Sequence, residues 1–255
     1  MPLPYTGQNG ELNFEADVVE LLKKARWEHE VLKNKTIPEL IDNWKDILFE
    51  RNRTTLNNVP LSSDEMDRVM DVVRLQANTP VKANHFVNGR PIAIKRDSDS
   101  PDKQHAGHEV YLDLFSATEI AGGSSRYQIA EQTYFSTDPQ FNDRRGDITL
   151  LINGMPVIHI ELKASGVNVY EASNQIVKYA NEGVWSGFMG LVQVFWAMTP
   201  EDALFFANAG NPTAFNSAFF FRWGDRDNNV IKDWRELITG EYHILSIPEA
   251  HKLIG

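Results

Sequence analysis

Two acids and a lysine interrupt the apolar stretch "RRGDITLLINGMPVIHIELKASG", which runs from Arg144 to Gly166. Asp147 begins the first apolar run, and Glu161 and Lys163 end the second. Two carboxylates ~4 Å apart repel each other by about 4 kcal/mol at an effective dielectric constant of 20. A divalent cation such as Mg²⁺ turns that repulsion into binding, because it prefers carboxylate, water and phosphate oxygens. A neighbouring lysine can hold an attacking water or offset charge on a phosphate. The pattern therefore indicates metal-assisted chemistry on a phosphate ester.

The side chains of "VIHIELK" alternate between the two faces of a predicted strand. Glu161 and Lys163 share one face, roughly 7 Å apart along the strand. The register of the preceding strand decides whether Asp147 joins them. A two-residue turn at Asn153-Gly154 would pair Asp147 with Ile160, on the wrong face. We predict a three-residue bulged loop, which pairs Asp147 with His159 and so places it diagonally across from Glu161, or else a distorted strand start at Gly146.

A surface salt bridge on a half-exposed strand is the ordinary alternative for any single Glu-x-Lys. Here an acid on the preceding strand, apolar flanks and a following helix favour a site. The segment "GDITLLINGMPVIHIELK", followed by "EASNQIVKYA", resembles the N-terminal nuclease domain of the R subunit of type I restriction endonucleases, in the PD-(D/E)xK superfamily. The resemblance implies that Asp147 and Glu161 bind Mg²⁺ and that Lys163 is catalytic. Gly146 stands where the superfamily has a proline.

The resemblance also implies a helix with glutamine and tyrosine one turn apart, here Gln175 and Tyr179. These side chains share a helix face and would orient the lysine or contact the DNA backbone, or simply bond to each other on the helix surface. An early helical glutamate is the fourth acidic element of the family. Glu15 lies at the edge of an apolar helix face and is the better candidate metal ligand. Glu20 lies on the solvent side.

Other polar residues near the motif have alternative interpretations. His159 shares the face of Glu161 and could support it, although a partly buried structural histidine is favoured. Arg144 and Arg145 could meet phosphates at the site entrance or be ordinary loop arginines. The pair His105 and His108 has helical metal spacing, but it lies in a Gly-, Asp- and Pro-rich loop, so a zinc site is not expected.

The predicted elements sum to an α/β fold, in which helices flank a mixed central sheet and extra helices precede it. The resemblance implies that this sheet is a core of the PD-(D/E)xK nuclease kind. Helices are predicted in "NFEADVVELLKKA", "TIPELIDNWKDILFERN", "SSDEMDRVMDVVRLQ", "EASNQIVKYANEG" and "VIKDWRELITG". Strands are predicted in "HEVYLDLF", "RYQIAEQTYF", "LVQVFWAM", "DALFFANA" and "AFFFRWG", with a hairpin at "NHFVNGRPIAIKR" and a loop at "ATEIAGGSSR". We expect one endonuclease domain over residues 1–255, with a helical segment at 26–80 and the sheet core at 81–225.

Composition limits the possible classes of protein. The chain has 255 residues, of which 42% are hydrophobic, and a net charge of −10. The charge argues against a broad, non-specific nucleic-acid surface but not against a local site. The chain contains no cysteine, which excludes disulfides and thiolate metal sites. The N-terminus lacks the features of a signal peptide, and the most apolar window, Gly187 to Met198, is too short to span a membrane. We expect a cytoplasmic protein.

The resemblance implies an endonuclease domain that acts on double-stranded DNA with Mg²⁺, beside methyltransferase and specificity subunits. The intact subunit would hydrolyse ATP to translocate DNA. The chain contains no G-x-x-x-x-G-K-[ST] motif, so we expect the motor to be absent and the chain to be a fragment. Two alternatives stay open: a docking and regulatory module that does not cut by itself, and a stand-alone repair or transposition nuclease of the same superfamily.

Overall fold

The computed structural model describes residues 5–87, 91–114, 125–136, 144–240 and Leu245. The helices are α1 (Gly10–Lys24), α2 (Ile37–Arg51), α3 (Ser63–Gln76), α4 (Pro80–Val87), α5 (Val169–Asn181) and α6 (Trp234–Ile238). The strands are β1 (Val31–Lys33), β2 (Ile92–Lys95), β3 (Glu109–Leu112), β4 (Tyr127–Tyr134), β5 (Arg145–Ile152), β6 (Met155–Leu162), β7 (Val194–Thr199) and β8 (Asp202–Ala207). The predicted loop at 117–126 lies almost wholly outside the described residues.

A six-stranded mixed sheet forms the centre of the fold, in the order β1-β4-β5-β6-β7-β8. β1 runs parallel to β4 and β6 runs parallel to β7, whereas the other neighbours are antiparallel. β2 and β3 form a separate antiparallel pair. Helices flank the sheet, and the apolar side chains of both join in one continuous core. The predicted α/β class with a mixed, helix-flanked sheet is therefore confirmed.

Two helices begin at capping signals of the sequence. Thr36 and Ser62 cap α2 and α3, and each forms a reciprocal capping box with the glutamate three residues later. These two helices therefore begin where the sequence predicts. β1 is a strand that hydrophobic patterning did not predict, because three residues are too few to show an alternation. It lies inside the segment expected to be helical.

Two strand predictions are wrong. The hairpin at "NHFVNGRPIAIKR" is replaced in its first half by α4, because Thr79 caps a helix there. The Thr79 hydroxyl accepts a hydrogen bond from the backbone N–H of Lys82, and the Thr79 carbonyl accepts one from the backbone N–H of Ala83. The proposed turn at Asn88-Gly89 lies outside the described residues, and β2 pairs with β3 instead. In "AFFFRWG", Asn216 caps a short 3₁₀ turn, and only Phe221 bridges to the sheet.

None of the helices in the described part of the chain combines the length and the apolar character that a bilayer crossing requires.

Candidate active site

The turn between β5 and β6 differs from the predicted one. Ile152 pairs with Met155, so the turn has two residues, Asn153 and Gly154. Both have positive φ, at 51° and 83°, which is the backbone of the tight hairpin turn that Asn-Gly favours. A side chain at Gly154 would also lie 2.9 Å from the Cα of Trp44. The predicted three-residue loop is therefore wrong.

A bulge restores the register that the site needs. The β5–β6 pairing shifts between Leu150 and Leu151, and Val157 is the extra residue on β6. Without the bulge the two-residue turn would direct Asp147 to Ile160; with it, Ile148 pairs with Ile160 instead. The acid is thereby brought level with Glu161. A bulge is thus present, but inside the ladder rather than at the loop.

Asp147 is buried at the start of β5. Its Oδ2 accepts a hydrogen bond from the backbone N–H of Leu162 at 2.7 Å, which ties it to the end of β6. Burial raises the pKa of its carboxyl well above the ordinary value, and the charge of Glu161 raises it further, while Lys163 lowers it. Asp147 therefore lies within electrostatic reach of both other motif residues.

Glu161 is fully buried on β6. Its Oε2 is 3.1 Å from Nε2 of His159, and its Oε1 has no hydrogen-bond partner among the described residues. Burial raises the pKa of the carboxyl to about 8, although Lys163 opposes the shift. A buried carboxylate with one free oxygen is costly unless a cation meets it.

Lys163 follows β6 directly and remains partly accessible. Its Nζ lies 3.8 Å from Oε1 of Glu161 and 3.4 Å from Oε1 of Glu11, and it donates to the Leu162 carbonyl at 2.8 Å. The ammonium group is therefore held between two carboxylates at the exposed edge of the site. Glu11, in the first turn of α1, is a neighbour that sequence reasoning did not single out.

Glu15, rather than Glu20, faces the site. Glu15 is 2% exposed, and its Oε2 accepts from the side-chain amide of Gln132. Burial raises the pKa of Glu15 to about 8, and the charge of Asp147 adds to the rise. Glu20 is exposed and pairs with Lys23 at the surface. The helical periodicity of α1 therefore predicted correctly that Glu15 faces the protein interior and that Glu20 faces solvent.

Gln132 holds an unusual backbone conformation inside β4. Its φ is +57°, although it is neither glycine nor asparagine. Glu131 pairs with Ile148 and Thr133 with Gly146, so Gln132 lies across from Asp147. Strained backbone of this kind persists only where surrounding structure enforces it, and it clusters at functional sites. Sequence reasoning missed Gln132, because a glutamine inside a strand carries no signal of positive φ.

Gln175 and Tyr179 bond to each other on α5 and then to β5. The Gln175 amide donates to the Tyr179 hydroxyl at 2.7 Å, and that hydroxyl donates to the Arg145 carbonyl at 3.0 Å. Tyr179 is buried, whereas Gln175 is half-buried. The pair therefore fixes the strand start that carries Asp147, and makes no contact with Lys163 among the interactions described.

Arg144, Arg145, His105 and His108 form no side-chain hydrogen bond to Asp147, Glu161 or Lys163 among the interactions described, although the charge of Arg145 lowers the pKa of Glu15. Arg144 pairs with Glu182, and Arg145 is exposed, with its guanidinium 5.9 Å from the ring centre of Tyr134. Nδ1 of His105 lies 2.7 Å from Oδ2 of Asp102, and His108 is exposed.

Gly146 is required where it stands. A Cβ at this position would lie 2.3 Å from Cζ of Phe135 and 2.6 Å from Cε1 of His159. We expect Gly146→Ala to lower the free energy of unfolding by about 1–3 kcal/mol, because both rings must move within a packed region. Urea denaturation measures the loss. Gly166→Ala is the comparison: it strains a backbone with φ of +83° but causes no steric clash, since no described atom lies within 4 Å of the added Cβ. Equal midpoints for Gly146→Ala and wild type would contradict the steric argument.

The acids fit a hard divalent cation, although no three acidic or histidine side chains among the described residues are arranged around one metal position. The fit rests on two buried oxygens, Oε1 of Glu15 and Oε1 of Glu161, that find no hydrogen-bond partner in the described part of the chain. The pKa values of Glu15, Asp147 and Glu161 are all raised. Carboxylates that are buried close to one another offer the hard oxygen donors that Mg²⁺ prefers.

Comparisons with known proteins match most of the chain to one family. A family model described as "Type I restriction enzyme R protein N terminus" matches residues 11–214. The type I restriction enzyme SsaAORF53P endonuclease subunit of Staphylococcus saprophyticus is 28% identical over 226 residues, which is 89% of this chain and 22% of that protein. The SauMSSORF170P endonuclease subunit of Staphylococcus aureus is 25% identical over 87% of this chain and 22% of its own length. The EcoprrI endonuclease subunit of Escherichia coli is 36% identical over 94 residues, 36% of this chain and 30% of its own. The chain thus spans about a fifth of the length of the staphylococcal relatives.

Proposed function

The chain belongs to the family of type I restriction enzyme R protein N termini, and from this premise we propose that it is a Mg²⁺-dependent DNA endonuclease domain. The observation that carries the proposal is the buried pair Asp147 and Glu161 at the end of the β5–β6 hairpin. Oε1 of Glu161 has no hydrogen-bond partner among the residues that the structure describes, and the ammonium group of Lys163 lies 3.8 Å from it. The substrate would be a phosphodiester bond of double-stranded DNA.

Asp147, Glu161 and Glu15 would hold the Mg²⁺ ion. When bound, the ion supplies positive charge beside the scissile phosphate and makes water a better nucleophile at neutral pH. The ion would offset the burial of the carboxylates, which is the main cause of their raised pKa values, and the repulsion among them, which adds to it. Their burial keeps water from screening these interactions.

Lys163 would act on the reacting phosphate. Its Nζ lies at the accessible edge of the site and is shared between Glu161 and Glu11. A phosphate oxygen that displaces Glu11 would receive the ammonium group as a hydrogen-bond donor. Lys163 would then orient the attacking water or stabilise negative charge that develops on the phosphate. Gln175 and Tyr179 would hold the start of β5, and with it Asp147, in place.

Lys163→Met tests this role. Methionine keeps much of the side-chain length but removes the charge, so plasmid cleavage with Mg²⁺ should slow by about 10²–10³-fold, the range found when one charge-stabilising donor is removed. Supercoiled plasmid is incubated with the chain, and nicked and linear products are quantified. Lys24→Met, at the exposed end of α1, is the matched control. If both variants cut at the rate of the unaltered chain, Lys163 has no such role; if the unaltered chain does not cut, the proposal of independent nuclease activity fails.

The proposal extends to the longer subunit through the family resemblance. A motor region outside these 255 residues would hydrolyse ATP and translocate DNA. Methyltransferase and specificity subunits would complete the complex and supply sequence recognition. Such a complex would act in the cytoplasm, where DNA is accessible.

A further inference from the structure

His159 has a more specific arrangement than a structural histidine needs. It is fully buried on β6, two residues before Glu161, and both ring nitrogens have hydrogen-bond partners. Nε2 lies 3.1 Å from Oε2 of Glu161, and Nδ1 lies 3.1 Å from Oγ1 of Thr149 on β5. Thr149 is also fully buried and pairs with His159 across the two strands. The three side chains therefore form one continuous hydrogen-bonded chain.

The direction of the hydrogen bonds follows from the carboxylate. An ionised Glu161 can only accept, so the proton of the neutral ring is assigned to Nε2. Nδ1 is then the acceptor, and the Thr149 hydroxyl must donate to it. Thr149 thus selects the tautomer that donates to Glu161.

Packing holds the ring in this orientation. The centre of the Trp185 ring lies 4.9 Å from the centre of the imidazole, and that of Phe135 lies 5.7 Å from it. The absence of a side chain at Gly146 leaves the room that the imidazole occupies, because a Cβ there would lie 2.6 Å from Cε1. A ring that is enclosed in this way cannot readily turn away from Glu161.

We propose that Thr149 and His159 position Glu161, by engaging Oε2 so that Oε1 is the oxygen presented to the cation and to Lys163. Oε1 is the atom without a hydrogen-bond partner among the described residues, and it is the one 3.8 Å from Nζ. This inference rests on the proposed function, since it assigns how one of the metal-binding acids is aimed. His159 is a positioning residue and does not touch the substrate.

Three variants of the 255-residue chain separate positioning from packing. His159→Phe keeps a ring but loses the donor, and should weaken Mg²⁺ binding about 10–100-fold, as loss of such supporting partners does. His159→Gln can place an amide N–H near the position of Nε2 and should recover part of the affinity. Thr149→Val removes the hydroxyl alone and should produce a smaller loss. Calorimetric titration with MgCl₂ gives the affinities, and thermal melts of the same samples report folding.

A matched control is available on the neighbouring strand. Thr133 is also fully buried, but its hydroxyl has no hydrogen-bond partner in the described part of the chain. Thr133→Val should leave Mg²⁺ affinity unchanged. A loss as large as that of Thr149→Val would overturn the specific role of Thr149.

Glu161→Gln, titrated in parallel, separates the two levels of the argument. If Glu161→Gln weakens binding but His159→Phe does not, the positioning role is wrong and the proposed metal site stands. If neither variant changes binding, the metal role of Glu161 fails, and the positioning role fails with it. Imidazole ¹⁵N NMR at pH 9, where the Glu161 carboxyl with its pKa of about 8 is ionised in the metal-free chain, gives a readout that needs no metal: a proton on Nε2 supports the assignment, and a proton on Nδ1 overturns it.

Discussion

Replacing Glu161 by glutamine is expected to abolish Mg²⁺-dependent cleavage and, at the same time, to stabilise the metal-free chain above pH 8. Loss of a metal ligand removes several kcal/mol of transition-state stabilisation, which corresponds to at least about 10²-fold in rate. The stabilisation has a separate cause. Glu161 is fully buried, its pKa is raised to about 8, and its Oε1 is unpartnered among the described residues. A neutral side chain of the same shape avoids the cost of burying that charge.

Two measurements check this prediction. Plasmid cleavage reports the rate, and a thermal melt at pH 9 with a chelator reports stability. A gain of about 1 kcal/mol would raise the melting temperature by about 2–4 °C for a chain of this size. Glu109→Gln, an exposed glutamate on β3, is the control and should change neither quantity. A lower melting temperature for Glu161→Gln would contradict the electrostatic argument, and unchanged cleavage would contradict the metal role.

The second large effect is a loss of stability as pH rises in the absence of metal. Burial raises the folded-state pKa of Glu15 and of Glu161 from 4.5 to about 8, so the folded chain holds more protons than the unfolded chain in this interval. The stability these groups contribute is fully present below about pH 4.5 and is lost as pH rises through 8. Asp147, whose pKa is also raised, acts with the same sign.

His159 opposes this trend over part of the range. Burial lowers its pKa from 6.5 to about 3, so its contribution to stability is present above pH 6.5 and is lost as pH falls toward 3. The carboxylates therefore act without that opposition between about pH 6.5 and 8, where the net fall should be steepest. Each raised glutamate shifts by several pKa units, so the total fall is on the order of a few kcal/mol.

Urea denaturation at half-unit pH steps, with chelator or with Mg²⁺, measures the slope. Mg²⁺ should flatten it, because the ion stabilises the charged carboxylates. The double variant Glu15→Gln, Glu161→Gln should lose most of the slope above pH 6.5. A slope that persists in the double variant would mean that other groups cause it.

The sequence predicted those parts of the fold that local signals determine. Thr36 and Ser62 start helices through capping boxes, and the apolar runs around Asn153-Gly154 form the central hairpin. Prediction failed where two local signals competed. The capping residue Thr79 begins a helix that runs into the segment expected to form the first strand of a hairpin. The prediction placed the bulge at the turn, whereas the extra residue is Val157 within β6. The alternation of side chains shows that the strand register must shift but not at which residue.

The site could likewise be predicted only as far as local sequence signals determine it. Asp147, Glu161 and Glu15 lie within electrostatic reach of one another, and their proposed roles stay predictions until cleavage and metal binding are measured. The alternation of "HIE" placed His159 beside Glu161, yet its bond to Thr149 depends on the strand pairing. Gln132 could not have been found, because its positive φ is imposed by tertiary structure rather than by its own preference.

The bond between Gln132 and Glu15 joins residues 117 positions apart in the chain. The acidic cluster is therefore completed only when α1 docks against β4, and a contact over this sequence separation is slow to form, because the loop-closure entropy is lost before the contact is gained. Docking also brings Glu15 toward Asp147, so it works against charge repulsion. A cation present during synthesis would remove that opposition and favour closure of the N-terminal helix. Refolding should consequently be faster, and not only more complete, when Mg²⁺ is present from the start.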